Sequence, residues 1–253
     1  MKKAVKKILC FLFPNKRITF KMIHGLYRGI KLNVAIQNQL GIILYPNEIY
    51  LQSFLSKNLD SGDTAFDIGS HIGYTSILTS KIVGENGHVY SFEPITENFL
   101  NLERNIKLNK CKNISIVNKA LSNKNGEAEF MIPDNGENLA MSSMVWGEKL
   151  YNTKKQLVKT IRVDDDSKLR YLSPKTIKID AEGAEGLVIE GMQNLISRCR
   201  PYIYIECTNI GREITWSIMK SLNYSCFHTK DDKDEILDFT SYRSNEFLWI
   251  PNQ

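Results

Sequence analysis

The chain has 253 residues, enough to bury one sizeable core, and its ordinary apolar, aromatic and charged fractions argue against wholesale disorder or a repeat array. Its net charge of +5 belongs to the front: Met1 to Asn47 carries nine Lys or Arg residues and no acid, and the remainder has a balance of −4, so a globally basic, nucleic-acid-coating surface is not indicated. Five scattered cysteines (Cys10, Cys111, Cys199, Cys207, Cys226) make no Cys-x-x-Cys pair, which argues against a disulfide framework or structural zinc and suits a reducing cytosol.

The apolar run Ile8 to Phe13 follows Lys2, Lys3, Lys6 and Lys7 and stops at Pro14. Six residues are too few for a transmembrane helix and short for a secretory segment, and no small-residue cleavage site follows. Two readings stand: a basic amphipathic start that rests on an anionic membrane or another subunit, and an ordinary surface helix. Ile23 to Asn47, punctuated by Gly25, Gly29 and Gly41, predicts short strands or a lid. Residues 1–50 are therefore read as a basic extension or lid, and 51–253 as the main domain. Glu48 to Leu59 predicts a helix closed by the turn Asp60-Ser61-Gly62-Asp63.

From Thr64 strands and helices alternate. Thr64–Ile68 predicts a buried strand, then come glycines and a helix with Tyr74, Ile77 and Leu78 on one face. His88–Glu93 predicts a strand, followed by a helix with Phe99, Leu102 and Ile106 at spacings of three and four; Ile114–Asn118 is a third strand. Glu127–Ile132 and Leu157–Val163 then read as an antiparallel insertion or edge hairpin around a polar loop, Asp134 to Leu150. Parallel units resume with strand Thr176–Asp180, a helix near Glu185–Ser197, strand Tyr202–Glu206 and a helix over Arg212–Leu222. Strands near Tyr224–His228 and Glu246–Ile250 end the chain. Such alternation predicts an α/β fold, doubly wound, with a mostly parallel sheet covered on both faces. Its ligand belongs beyond the carboxyl ends of the strands, where strand order reverses.

Three clusters carry chemistry. Asp67-Ile68-Gly69-Ser70-His71-Ile72-Gly73 opens a helix directly after a strand, and its glycines let the backbone turn tightly against a ligand. A dinucleotide site shows G-x-G-x-x-G facing a pyrophosphate. The acidic Asp67 and the D-x-G-x-x-x-G spacing instead suit a cationic cofactor; the alternative is a glycine-rich turn with no ligand. Glu93-Pro94 ends the next strand, where an acid can accept hydrogen bonds from ribose hydroxyls, although an acid at a strand end is also ordinary surface chemistry. Lys178-Ile179-Asp180-Ala181-Glu182-Gly183-Ala184-Glu185 sits where a fourth strand reaches the crevice, with Lys178 and Asp180 on one face. Glu182 and Glu185, three apart, can share a face and favour a helix N-terminus.

Asp67 to Gly73, Ser91-Phe92-Glu93-Pro94, Asn118-Lys119-Ala120-Leu121, Ile177 to Glu185 and Arg200-Pro201-Tyr202-Ile203-Tyr204-Ile205-Glu206 together resemble the FkbM-type methyltransferases, over roughly Tyr45 to Glu206. The resemblance implies a seven-stranded, Rossmann-like methyltransferase sheet with an antiparallel last strand. It also implies methyl transfer from S-adenosylmethionine, often to a hydroxyl of a sugar or natural product. Carried over residue by residue, Asp67, Gly69 and Gly73, with Ser70 in the same turn, would line the methionine end of the cofactor. Glu93, with Pro94 fixing its turn, would hold the ribose, and Asn118 and Ala120 would lie near the adenine. Ser70-His71 departs from many relatives; His71 either contacts cofactor or substrate, caps a helix, or simply stands exposed.

Methyl transfer to a hydroxyl needs in-line approach and loss of a proton. Asp180 is the expected base or acceptor-orienting group, as well as a cofactor neighbour, with Glu182 second; the bland alternative is that both only cap the helix. Paired acids can hold a divalent cation, but no His or third carboxylate completes such a site in the sequence, so no metal is expected. The loop Met141 to Trp146 either covers an acceptor or packs at an edge. The expected partner is a small-molecule or carbohydrate acceptor, with no nucleic acid: no Asn-Pro-Pro-Tyr-like motif is present. Oligomeric state is not legible, and the expected place is the cytoplasm, with peripheral contact at the inner membrane face through the basic front. N-methylation, a non-catalytic scaffold and an NAD-dependent oxidoreductase are the competing readings; the missing G-x-G-x-x-G counts against the last.

Overall fold

A computed structural model of the chain describes residues 16–36, 39, 48–133, 153–207, 209–230, 235–241 and 244–252. The basic start at Lys2 to Phe13 and the whole polar loop Asp134 to Leu150, with Met141 to Trp146 in it, lie outside the described residues. Among the described residues, no helix is long and apolar enough to cross a membrane.

Seven strands form the central sheet: β3 (Thr64–Ile68), β4 (His88–Phe92), β5 (Ile114–Val117), β9 (Thr176–Asp180), β10 (Tyr202–Glu206), β11 (Tyr224–His228) and β12 (Glu246–Pro251). Their order is β11-β12-β10-β9-β3-β4-β5, all parallel except β12, which runs antiparallel to both neighbours. From β3 the chain moves outward to β4 and β5, then returns to the other side through β9. Strand order therefore reverses between β3 and β9, and a crevice opens at their carboxyl ends.

Alternation along the strands feeds two cores. Phe66, Ile68, Ile177, Ile179, Ile203 and Ile205 pack on one face with α4 (Glu185–Glu190), α5 (Gln193–Cys199) and α6 (Asn209–Ser221). Ala65, Val89, Tyr204 and Leu248 belong to the opposite core, with α1 (Ile49–Asn58), α2 (Tyr74–Val83) and α3 (Thr96–Asn109). A hairpin of β1 (Arg17–Lys21) and β2 (Lys31–Ala35) joins that second core: Met22, Tyr27, Ile30, Leu32 and Val34 are buried there, and the Tyr27 ring stacks on Tyr74 with centroids 3.7 Å apart.

The insertion is a separate three-stranded sheet. Its antiparallel pair, β7 (Gly126–Pro133) and β8 (Thr153–Ile161), is joined by the two-residue β6 (Ala120–Leu121), which runs parallel to β8. Strand β8 starts earlier than the apolar residues suggest, and Val163, expected at its end, begins a 3-10 turn instead.

Two helices differ from expectation for identifiable reasons. The segment near Glu185–Ser197 breaks at Gly191, where a Cβ would stand 2.0 Å from the Ser122 carbonyl oxygen. Asp164 starts the second piece by accepting hydrogen bonds from the Asn194 and Leu195 N–H groups at 3.0 and 3.1 Å. In α3, Leu102 and Ile106 are buried as expected, but Phe99 is only half-buried and Asn98, Asn101 and Asn105 fill the inner face. Asn105 donates to the Ile72 carbonyl at 2.9 Å and accepts from the Asn33 N–H at 2.7 Å, tying the turn after β3 to the hairpin.

Candidate active site

The turn after β3 is held from three sides. Gly69 and Ser70 N–H groups both donate to the Phe92 carbonyl at 3.0 Å, and Ser70 Oγ donates to the Asp67 carbonyl at 2.7 Å. Gly69 takes φ +75°, and a Cβ there would lie 1.8 Å from the Asp180 carbonyl oxygen; only glycine allows β9 to approach so closely. Gly73 caps α2 at φ +87° beside Leu102.

Beneath the turn lies a buried ion cluster. Lys178 Nζ donates to the Gly69 carbonyl at 3.0 Å and to Asp180 Oδ2 at 3.2 Å, and stands 3.7 Å from Asp67 Oδ1. Asp67 Oδ2 accepts from Ser76 Oγ at 2.5 Å, and Ser91 Oγ extends the chain to Ser76. Burial raises the Asp67 carboxyl above its ordinary range, opposed chiefly by the Lys178 charge. The three neighbouring carboxylates more than offset desolvation at Lys178, whose pKa is raised, so the ammonium stays charged.

Above the turn lies a narrow cleft of about 70 Å³. Phe92, Ile95, Leu121 and Phe130 supply its apolar lining, while Gly69, His71, Glu93, Asp180 and Glu182 bring polar groups to it. Ala120 and Pro94 also line it. Asp67, Ser70, Gly73 and Asn118 are not among its lining residues: Ser70 and Gly73 belong to the turn itself, Asp67 is buried beneath it, and Asn118 braces the loop by donating to the Glu93 and Pro94 carbonyls at 2.8 and 3.1 Å. Phe130, Ile95 and Asn98 are lining residues that sequence reasoning passed over. Only the alternation of β7, with an aromatic on its inner face, could have pointed to Phe130.

Glu93 is buried at 4 % exposure; its Oε2 accepts from the His71 N–H at 2.8 Å, and its Oε1 from the Ile95 N–H at 2.9 Å and the Asn98 amide at 3.4 Å. Burial raises its pKa to about 7 against those stabilising N–H bonds. His71, half-buried and at φ +50°, does not cap α2; burial lowers its pKa to about 4, so its imidazole is neutral.

Glu182 and Glu185 do not share a face. Glu185 turns inward, where its Oε1 accepts from the Gly183 and Ala181 N–H groups at 2.8 and 3.2 Å. Glu182, at φ +49°, lines the cleft, and burial together with Asp180, Glu206 and Glu185 raises its pKa to about 8. Among the described residues no group of three or more His, Cys, Asp or Glu side chains could hold a metal ion.

Two outcomes follow from these charges. Lys178→Met strands the Asp67 carboxylate in the interior and should cost about 3–5 kcal/mol in urea unfolding, whereas adding Asp67→Asn should recover part of that loss; strictly additive costs would contradict the coupling. For Glu182, the folded pKa of about 8 lies above the ordinary 4.5, so its contribution is fully present below pH 4.5 and lost as pH rises through 8. The melting temperature of Glu182→Gln relative to wild type should therefore climb between pH 5 and pH 9. A difference independent of pH would refute the shift.

The family model for the methyltransferase FkbM domain matches residues 67–245. The solved structure of methyltransferase FkbM from Methylobacillus flagellatus KT superposes with a TM-score of 0.50 at 16 % identity, covering 85 % of this chain and 53 % of that one; it shares the fold. A SAM-dependent O-methyltransferase from Thermotoga maritima gives a TM-score of 0.46 at 11 % identity over 96 % of this chain and 81 % of that one. The protein-L-isoaspartate O-methyltransferase of Methanococcus maripaludis is 35 % identical over 60 residues, 24 % of this chain and 28 % of that protein. The chain thus spans about half of the FkbM structure and less than a third of the isoaspartate enzyme. With a family match over most of its length and a seven-stranded sheet carrying one reversed strand, the chain belongs to the FkbM family of S-adenosylmethionine-dependent methyltransferases.

Proposed function

We propose that the protein transfers a methyl group from S-adenosylmethionine to a hydroxyl of a small-molecule acceptor, with a sugar, glycoconjugate or natural-product precursor as the acceptor class. The observation that carries this reading is one cleft that unites the Gly69 turn, the Glu93 carboxylate and the Asp180 and Glu182 carboxylates. The lining suits the cofactor. Glu93 offers about four acceptor positions, three of them used by His71, Ile95 and Asn98, which leaves room for a ribose hydroxyl. Ile95, Ala120, Leu121 and Phe130 give a flat ring an apolar seat. Asp67, Ser70, Gly73, Pro94 and Asn118 act as positioning residues that fix the turn and the Glu93 loop.

When bound, S-adenosylmethionine supplies a methyl carbon on a positively charged sulfur. Asp180, its Oδ2 held by Lys178, turns toward the acceptor, orients the hydroxyl and takes its proton; Glu182 is the second candidate for that proton. Both carboxylates also favour the cationic sulfur electrostatically. An amine acceptor is the second reading, because the same excess of carboxylates would attract an ammonium group. Residues 1–50 are proposed as the basic extension that shapes the cleft mouth and makes peripheral contact with an anionic membrane surface from the cytoplasmic side, with 51–253 as the transfer domain.

Calorimetric titration with S-adenosylhomocysteine tests the reading. Wild type should bind in the micromolar range, and Glu93→Ala and Asp67→Ala should each weaken binding by about tenfold or more. A folded wild type that does not bind would overturn it.

A further inference from the structure

His71 stands in the turn after β3 among contacts that fix which of its ring nitrogens carries the proton. Its own N–H donates to Glu93 Oε2 at 2.8 Å, and its φ of +50° lies in a left-handed region that non-glycine residues seldom enter. The side chain lines the cleft, and its Nε2 stands 3.5 Å from Nε2 of Gln39, a buried residue just after β2. Gln39 is itself oriented by the hairpin: its Oε1 accepts from the Ala35 N–H at 3.0 Å and from the Arg17 guanidinium at 3.4 Å. With the carbonyl end of that amide engaged, its NH2 end faces His71 and can only donate. His71 Nε2 is therefore the acceptor, and the ring proton sits on Nδ1. Burial keeps the ring neutral against the pull of Asp180, so Nδ1–H is an uncharged donor. It has no partner among the described residues.

Resting on the methyltransferase reading above, we infer that His71, its tautomer set by Gln39, donates Nδ1–H to the carboxylate of the methionyl tail of S-adenosylmethionine. That carboxylate enters a cleft to which Glu93, Asp180 and Glu182 already bring carboxyl groups, so it needs an N–H partner. Three side chains of the lining carry one: His71, Asn98 and Lys119. Asn98 already donates to Glu93 at 3.4 Å, and Lys119 follows β5, two strands away from the turn. His71 is left, in the turn whose Gly69 lies against the Asp180 backbone. A neutral donor also suits the place better than a cation, because an imidazolium would pair with the Asp180 carboxylate instead of the ligand. Arg17, Ala35 and Gln39 thereby reach the cofactor through one imidazole, although all three precede the family-matched span.

Methylthioadenosine tests this, because it keeps the nucleoside and sulfur of the cofactor and lacks the amino-acid tail. Its binding and that of S-adenosylhomocysteine should be measured by calorimetry for wild type and His71→Leu, with melting curves to confirm folding. His71→Leu should weaken S-adenosylhomocysteine about tenfold and leave methylthioadenosine within about twofold. The part played by Gln39 is read spectroscopically. Gln39→Glu keeps an acceptor for the Ala35 N–H and turns the donor that faces His71 into a second acceptor. Long-range proton–nitrogen correlation spectra of histidine-labelled protein should show His71 protonated on Nδ1 alone in wild type, and gaining a proton on Nε2 in Gln39→Glu. Equal weakening of both ligands by His71→Leu, no change in either, or a proton on Nε2 in wild type would overturn the assignment. Failure of wild type to bind S-adenosylhomocysteine would instead remove the cofactor reading, and this inference with it.

Discussion

The ammonium of Lys178 is the constraint around which the rest of the site is arranged. A charge buried at the carboxyl end of a central strand costs several kcal/mol unless opposite charges and hydrogen-bond acceptors surround it. Here Asp67, Asp180 and the Gly69 carbonyl meet that need. The first comes from β3, the second from β9, and the third from the turn between β3 and α2. Because Asp67 and Lys178 are register partners on adjacent strands, one side chain fixes both the strand pair and the turn above it. Gly69 then becomes obligatory, since the turn is drawn down onto the Asp180 backbone.

The cleft that results is chemically lopsided. Phe92, Ile95, Leu121 and Phe130 give part of it an apolar surface, contributed jointly by β4, its following loop and the inserted sheet. Glu93, Asp180 and Glu182 bring carboxyl groups to the same cleft, and burial raises Glu93 and Glu182 to about 7 and 8. Such groups hold protons more readily than free carboxyls and release them when a cation arrives. That is a suitable environment for a positively charged cofactor, and a poor one for an anion.

Much of this frame was legible because periodicity and turn chemistry agree along the buried strands. Thr64–Ile68, Thr176–Asp180 and Tyr202–Glu206 have the bounds their apolar runs suggest, since both faces of these strands are covered. The motif clusters likewise meet in one place. What the sequence concealed depends on contacts between distant segments. The Gly191 break looks like a continuous helix until Ser122 is brought against it. Strand β6 has two residues, too few for any period. The inner face of α3 is carried by asparagines, of which Asn105 has partners 72 and 33 residues away. Asp67 reads as a ligand-facing acid, yet burial under the turn directs it to Lys178 and Ser76. Glu48 has no motif around it; only the folding of the hairpin places Tyr27 against it.

The account stands most directly on where the cofactor product sits. A crystal structure of the protein grown with S-adenosylhomocysteine should show the ligand in the cleft bounded by the Gly69 turn, Glu93 and Phe130, with a ribose hydroxyl on Glu93 and Lys178 still engaged with Asp67 and Asp180. Ligand density elsewhere on the chain, or a Lys178 drawn away from Asp67 to contact the ligand, would contradict it.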